Sequence, residues 1–228
     1  MKIFIVYWHP EPASFNAAML RTADKVLSAQ GHEVQVSDLG AMAFDPVSGR
    51  HNFTTRCNPE YFCQRLEEAY AYDHKGFTAD LETEMQKLEW CELLIFQFPL
   101  WWCSMPAMMK GWIDRVLAYK RVYTEEQTYS KGPFSNKKAL LSLTTGDPES
   151  SYCSQGVHGD ISELLKPLQQ GVLGFLGFKV LEPFIAFGPG QLTEQVRIDL
   201  LDRFSARLRQ IGYESPVQNS EQTTAAEA

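Results

Sequence analysis

The sequence predicts an α/β fold: a doubly wound, five-stranded parallel sheet with helices on both faces. Two observations carry this prediction. Five segments with strand-like patterns alternate with five segments with helical patterns along the 228 residues. The hydrophobic content of 44% is enough for a chain of this length to bury the core of such a sheet. No Gly/Ser-rich or Pro-rich linker divides the chain, so one domain is expected.

The first β-α-β unit occupies residues 2–39. Residues 2–7 form a β-branched and aromatic run that is typical of a strand buried on both faces. Ser14 is suited to cap a helix that ends near Gly31, and residues 33–39 alternate like a strand. Strands joined in this way are parallel, with a right-handed crossover.

Residues 40–78 interrupt the alternation with prolines, glycines and many aromatic residues, and are predicted to be a long irregular excursion. Regular patterns return after it. A helix of about four turns is predicted from Met105, with Pro106 in its first turn. The other predicted helices are 80–89, 161–176 and 193–211, and the other predicted strands are 93–98, 138–145 and 178–187.

Composition restricts the partners and the compartment. The net charge is -7 and no Lys/Arg block is present, so nucleic acid is not expected as the primary partner. The first apolar run ends at His9 and Pro10, so no signal sequence or integral membrane segment is predicted and the expected location is cytoplasmic. Five cysteines without C-x-x-C spacing favour reduced thiols. Residues 215–228 are polar and are predicted to be a disordered tail.

Polar and aromatic residues follow three of the predicted strands, where ligands bind in sheets of this class. Ser14 and Asn16 follow the first strand, adjacent Trp101 and Trp102 follow the third, and a polar stretch with His158 follows the fourth. Each has a structural alternative that the residues alone leave open. Ser14 and Asn16 could serve simply as helix caps. The tryptophans could cover the core or a subunit interface, and His158 could have a structural role. Met105, Met108 and Met109 indicate core or dimer interface.

Several separate motifs resemble those of the NAD(P)H:quinone oxidoreductases, the DT-diaphorase-like branch of the flavodoxin-like superfamily. The resemblance extends from the first strand to about Arg207. Its most specific stretches are His9-Pro10-Glu11, Ser14-Phe15-Asn16, Phe96-Gln97-Phe98-Pro99-Leu100, Lys110-Gly111-Trp112, Lys131-Gly132-Pro133-Phe134, Thr144-Thr145-Gly146, Tyr152 and Gln155-Gly156-Val157-His158-Gly159-Asp160.

This resemblance implies an FAD-containing homodimer that passes a hydride from NAD(P)H to quinones or similar electron-poor aromatics by a ping-pong mechanism. The cofactor-binding residues it implies are His9, Ser14, Phe15, Asn16, Pro99, Leu100, Trp101, Trp102, Thr144, Thr145, Gly146, Asp147, Tyr152 and Arg197. The substrate-binding residues it implies are Cys103, Tyr123, His158 and Phe175, with Tyr123 contributed across the dimer. The excursion at 40–78 would wrap the partner subunit.

The resemblance also assigns the catalytic role to Tyr152 and His158. Hydride arriving at flavin N5 leaves negative charge near N1 and the C2 carbonyl, which a phenol and an imidazole can stabilise. The same resemblance is compatible with a second function, in which the protein is a flavin-binding regulatory or ancillary subunit of a partner such as a transport system.

Four features differ from the family pattern. Asp147 replaces a common glycine and adds a carboxylate that would disfavour anionic acceptors, and Cys103 replaces an aromatic residue, which makes the pocket wall smaller. The chain also lacks the C-terminal extension of the longer animal members, so FMN is the alternative cofactor. Gln170 and Gly174 stand where one branch has metal-binding histidines, so no metal is expected.

Overall fold

The computed structural model of the protein describes residues 1–217, and the rest of the predicted tail lies outside the described residues. The strands are β1 (Lys2–Tyr7), β2 (Glu33–Asp38), β3 (Leu93–Pro99), β4 (Lys138–Thr144), β5 (Lys179–Val180) and β6 (Phe184–Ala186). The helices are α1 (Phe15–Ala29), α2 (Gln64–His74), α3 (Ala79–Trp90), α4 (Ala107–Val116), α5 (Ile161–Lys166) and α6 (Glu194–Leu208), and a π-helical segment (Pro167–Gly174) continues α5.

The sheet is parallel, with strand order β2-β1-β3-β4-β5, and β6 pairs with the carboxyl-terminal half of β4. Ile5 pairs with Val36 on one side and with Ile95 on the other, and Ile95 pairs in turn with Leu140. The four residues are buried or nearly so, as expected for the middle of a sheet covered on both faces. The predicted flavodoxin-like, doubly wound fold is therefore confirmed.

Two hydrophobic cores lie on opposite faces of the sheet. On one face, α1 and α6 cover Ile3, Ile5, Ile95 and Leu140. On the other, α3, α4 and α5 pack on alternate strand residues, with Trp112 of α4 fully buried at the centre.

The excursion is more regular than the sequence predicts, because it contains α2. Its buried face carries Glu67 and Glu68 rather than a stripe of apolar residues, so hydrophobic periodicity gives no sign of this helix. Both carboxylates are paired inside the protein. Glu67 accepts hydrogen bonds from Arg50 and from the Cys57 N–H, and Glu68 accepts one from the Tyr119 N–H at 2.8 Å.

Arg115 of α4 attaches the excursion to the rest of the fold. Its buried guanidinium donates to Asn52 Oδ1 at 2.8 Å and to the Asp45 carbonyl at 2.6 Å, and lies over the Phe44 ring. The excursion also approaches α4 so closely that a Cβ atom on Gly111 would lie 2.3 Å from the Pro46 carbonyl oxygen. The segment is thus packed against the body of the protein.

Three predicted elements differ from the structure near prolines. Pro106 precedes α4 as its N-cap in an extended conformation, so that helix has ten residues and not four turns. Pro167 lacks the N–H that would continue α5, and the helix changes to π geometry there. Pro183 interrupts the last predicted strand, which forms two short strands, β5 and β6, on the same edge of β4.

Candidate functional site

The carboxyl ends of β1, β3 and β4 lie side by side, where the strand order reverses next to β1. This is the position at which doubly wound sheets bind ligands. A crevice of about 530 Å³ opens there. It is lined by His9, Ala13, Ser14, Phe15, Asn16, Ala18, Thr144, Pro189, Gly190, Glu194, Arg197, Ile198 and Leu201. Six predicted cofactor-binding residues therefore share one crevice: His9, Ser14, Phe15, Asn16, Thr144 and Arg197.

The amino end of α1 presents hydrogen-bond donors to this crevice. Ser14 caps the helix, since its Oγ accepts from the Ala17 N–H at 3.1 Å. Within residues 1–217 the N–H groups of Phe15 and Asn16 have no acceptor. Free N–H groups at a helix start bind anions, so these donors suit a phosphate or diphosphate group.

His9 borders the same crevice in a neutral state. Its Nδ1 lies 2.9 Å from the Glu11 backbone nitrogen and 3.2 Å from the Glu11 carbonyl oxygen, so the backbone of Glu11 orients the ring. Burial lowers the pKa of His9 below its ordinary value of 6.5, and hydrogen bonding to the Glu11 backbone and the charge of Glu11 work in the opposite direction. At neutral pH His9 can thus donate one hydrogen bond without adding a positive charge.

A buried chain of polar groups supports the floor of the crevice. Gln97 Nε2 donates to Asn16 Oδ1 at 2.8 Å, and Asn16 Nδ2 donates to Thr144 Oγ1 at 3.1 Å. Because Thr144 accepts from Asn16, its own hydroxyl hydrogen is left to donate elsewhere. Gln97 Oε1 and the nearby Ser142 Oγ have no hydrogen-bond partner among the described residues.

The tryptophan loop forms a tight turn beside the crevice. Trp101 and Ser104 exchange backbone hydrogen bonds at 2.9 and 3.0 Å, and the two residues between them, Trp102 and Cys103, have φ values of 50° and 56°. The left-handed region is unfavourable for residues with a Cβ, so this turn is strained. It presents the Trp102 ring entirely to solvent, while Trp101 packs edge-on against Trp8. The preceding Pro99 and Leu100 are buried.

The loop after β4 is held by its own hydrogen bonds. Thr145 Oγ1 donates to the Asp147 carbonyl at 2.7 Å and accepts the Gly188 N–H at 3.1 Å. Gln191 Nε2 donates to the Gly146 carbonyl at 2.9 Å. These contacts connect the predicted cofactor-binding residues Thr145, Gly146 and Asp147 to the segment before α6.

Tyr152 and His158 lie next to each other on this loop, with ring centres 4.9 Å apart. His158 Nε2 lies 2.9 Å from Asp147 Oδ2. Burial raises the pKa of Tyr152, and the charges of Asp147 and Cys103 raise it further. Tyr152 is therefore a phenol that can donate a hydrogen bond at neutral pH.

Tyr123 and Phe175 contact each other, with ring centres 5.3 Å apart. Their other ring contacts are with Tyr119 and Tyr129, and none is with Tyr152 or His158 within the described chain. Within one subunit, the structure thus brings together the two predicted pocket walls but does not join them to the predicted catalytic pair.

Several residues of the site are missed by sequence reasoning. Glu194, Ile198 and Leu201 share one face of α6 with Arg197, and their spacing could have indicated a helix face turned toward a ligand. Gln97 is an amide within an otherwise apolar strand, and this interruption of the apolar pattern could have indicated a residue of the site. Trp8 has no such signal, because its contact with Trp101 joins two distant segments.

All five cysteines are unpaired. Residues 1–217 contain no cluster of three or more His, Cys, Asp or Glu side chains arranged for a metal ion. In the same range, every helix is too short or too polar to span a bilayer.

Comparisons with known proteins agree with this geometry. The family model described as flavodoxin-like fold matches residues 1–208. The NAD(P)H dehydrogenase [quinone] 1 of Cavia porcellus is 45% identical over 217 residues, which are 95% of this chain and 79% of that protein. The ribosyldihydronicotinamide dehydrogenase [quinone] of Rattus norvegicus is 44% identical, with 95% of this chain and 94% of that protein covered.

A solved structure from Klebsiella pneumoniae, assigned to the quinone reductases, superimposes with a TM-score of 0.91 and 34% identity. The match covers 99% of this chain and 90% of that one. The strand-end crevice, the motifs around it and these relatives lead to one conclusion: the chain belongs to the NAD(P)H:quinone oxidoreductase family of enzymes, within the flavodoxin-like superfamily.

Proposed function

We propose that the protein is a flavin-dependent NAD(P)H dehydrogenase that reduces quinones, or similar electron-poor aromatics, by a ping-pong mechanism. The observation that carries this proposal is the crevice at the ends of β1 and β4, which is lined by the amino end of α1 and by His9, whose ring centre is 6.4 Å from that of Trp101. The names of relatives at 42 to 45% identity support the same reaction. Nothing in them favours an ancillary subunit.

FAD is the cofactor that best suits the crevice. The free N–H groups of Phe15 and Asn16 would hold phosphate oxygens, with His9 and Ser14 beside them. The crevice continues along α6 past Arg197 to Ile198 and Leu201. Arg197 would provide a positive charge for the second phosphate of FAD, and Ile198 and Leu201 would provide an apolar surface for its adenosine. FMN ends at its single phosphate and would leave that part of the crevice unused.

The bound flavin would accept a hydride from NAD(P)H and deliver it to the quinone. The residues of the chain would then have three tasks. Pro99, Leu100 and the tryptophan loop would place the ring, Thr144 to Asp147 would hydrogen-bond to its polar edge, and Tyr152 with His158 would stabilise negative charge there. Cys103, Tyr123 and Phe175 would border the acceptor, with Tyr123 supplied by the partner subunit of a homodimer in the cytoplasm.

The test is to reconstitute the purified protein with FAD and follow flavin reduction by NADH and NADPH in a stopped-flow spectrometer. We expect about one FAD per chain and full reduction. His158→Gln and Tyr152→Phe should each slow reduction by about ten- to a thousand-fold, with flavin content and Tm nearly unchanged. The double variant should lose less than the product of the two, because both groups act on one charge.

His32→Gln serves as the control, since His32 lies at the opposite end of the sheet, before β2 begins, and contacts the amino terminus. Its rate should equal that of the wild type. Failure to bind either FAD or FMN would refute the proposed function. Normal reduction in the flavin-loaded double variant would show that Tyr152 and His158 are structural.

A further inference from the structure

The carboxylate of Asp147 makes a contact that the proposed function does not use. Its Oδ2 lies 2.9 Å from His158 Nε2, and the two side chains are 50% and 34% exposed. A carboxylate can only accept a hydrogen bond, so Nε2 carries a hydrogen in this contact. Asp147 therefore selects the imidazole tautomer and leaves Nδ1 as the nitrogen with a free lone pair.

Asp147 is held in place by its own backbone. Its carbonyl oxygen accepts from Thr145 Oγ1 at 2.7 Å, and the same hydroxyl accepts the Gly188 N–H. Gly188 has a φ of 52° and packs so closely that a Cβ atom there would lie 3.2 Å from the Asp147 carbonyl carbon. The carboxylate thus projects toward His158 from a packed segment, which reduces the entropy cost of keeping the contact.

The same carboxylate acts on Tyr152. The phenol is 8% exposed, and its ring centre is 4.9 Å from that of His158. Burial raises the pKa of Tyr152 and the charge of Asp147 adds to this, while hydrogen bonding to Thr145 and to the Asp147 backbone works in the opposite direction. Asp147 is therefore a neighbour of both groups of the predicted catalytic pair.

We propose that Asp147 is a positioning residue of this site: it holds His158 through Nε2 and leaves Nδ1 available to the reaction. The inference rests on the proposed function for its kinetic consequence, but not for the contact itself. The role is analogous to that of carboxylates that orient catalytic or metal-binding imidazoles elsewhere. It also gives Asp147 a task other than discrimination against anionic acceptors.

The contact is tested by NMR of ¹⁵N-labelled protein, without flavin and after reconstitution with FAD. His158→Gln identifies the imidazole signals of His158. In the wild type we expect Nε2 to carry the hydrogen and its ¹⁵N signal to show a hydrogen bond to the carboxylate, and in Asp147→Ala we expect that signal to shift and the fraction of the Nδ1–H tautomer to rise toward that of a free imidazole. Glu149→Gln is the matched control, because Glu149 is an exposed carboxylate on the same loop without hydrogen bonds or ion pairs in the described structure. Identical His158 spectra in wild type and Asp147→Ala would overturn the proposal.

The kinetic test measures the limiting rate of FAD reduction by NADH. Asp147→Ala should lower this rate by about tenfold, while the apparent Kd for NADH stays within about twofold, because the change affects charge stabilisation and not binding. Asp147→Glu should recover part of the rate, and Glu149→Gln should retain all of it. A limiting rate in Asp147→Ala equal to or above that of the wild type would overturn the positioning role.

The two experiments separate the inference from the function on which it rests. If the wild type binds FAD but is not reduced by NADH or NADPH, the proposed function fails. The NMR comparison still decides, in that case, whether Asp147 sets the tautomer of His158.

Discussion

At the scale of single residues, the state of His9 connects pH to cofactor binding. Its pKa lies below 6.5, so the ring is neutral at pH 7.5 and gains a proton only in clearly acidic solution. A positive charge beside the crevice attracts a diphosphate, whose own charge does not change in this range. We therefore expect FAD to bind more tightly as the pH falls from 7.5 through the pKa of His9, by about fivefold once the ring is protonated.

Titration calorimetry of the flavin-free protein at pH 7.5 and at a series of lower pH values measures this change in Kd. His9→Gln keeps a hydrogen-bond donor but cannot be protonated, so its affinity should vary much less. An equal pH dependence in the wild type and His9→Gln would exclude His9 as the group responsible.

The buried amide of Gln97 gives a second prediction at this scale. It orients Asn16, which in turn leaves the Thr144 hydroxyl free to donate. Gln97→Leu removes that support, and we expect the Kd for FAD to rise by about tenfold, the value of one lost hydrogen bond of about 1.4 kcal/mol. Ser142→Ala is the control, since its buried hydroxyl has no partner in the described chain and its loss should not weaken binding.

Fluorescence titration with FAD compares the variants, and the Tm of the flavin-free proteins shows whether they fold alike. If Gln97→Leu binds FAD as the wild type does, the hydrogen-bonded chain serves the core alone.

At the scale of elements, the close approach of the excursion to α4 is tested at Gly111. Alanine has the higher helix propensity, yet its Cβ would meet backbone atoms of Pro46 at 2.3 to 2.4 Å. We expect Gly111→Ala to destabilise the protein by about 2 kcal/mol, because the new Cβ would clash with the Pro46 backbone and rotation of a side chain cannot relieve that clash. Gly171→Ala is the matched control, since a Cβ there meets nothing within 4 Å.

Urea unfolding, with flavin-free protein, compares the free energies of unfolding. Gly171→Ala should be neutral or slightly stabilising. Equal stability of the two variants would mean that the 40–78 segment moves away from α4 without cost.

At the scale of the whole molecule, the surface of the excursion favours the proposed homodimer. Tyr61, Leu66 and Tyr72 are large apolar residues that are 71%, 58% and 47% exposed, and two of them belong to α2. Exposed apolar residues grouped on one segment are typical of a surface that contacts another protein. We expect a dimer at micromolar concentration in light scattering, and Leu66→Glu should shift it toward monomer.

Val196→Glu is the control for charge added elsewhere, since Val196 is exposed on α6. A wild type that scatters as a monomer would contradict the dimer. In a monomer, Tyr123 and Phe175 would also remain apart from the predicted catalytic pair, Tyr152 and His158.

The sequence by itself predicted the alternation of strands and helices apart from α2, a site at the carboxyl ends of the strands, and six of the thirteen residues that line the crevice. These depend on local signals: apolar period, caps such as Ser14, and prolines that end elements. The sequence does not indicate α2, because its buried face carries Glu67 and Glu68 beside Ala71, and the partners of the two carboxylates lie elsewhere in the chain.

Only the tertiary structure decided which polar groups meet. The hydrogen bond between Gln97 and Asn16 joins residues 81 positions apart, and the sequence around each residue does not indicate the other. Asp147 and His158 are only 11 positions apart, but their contact depends on a turn-rich loop packed against Gly188. Hydrogen bonds need distances and directions that side-chain chemistry alone does not specify, and the fold supplies both.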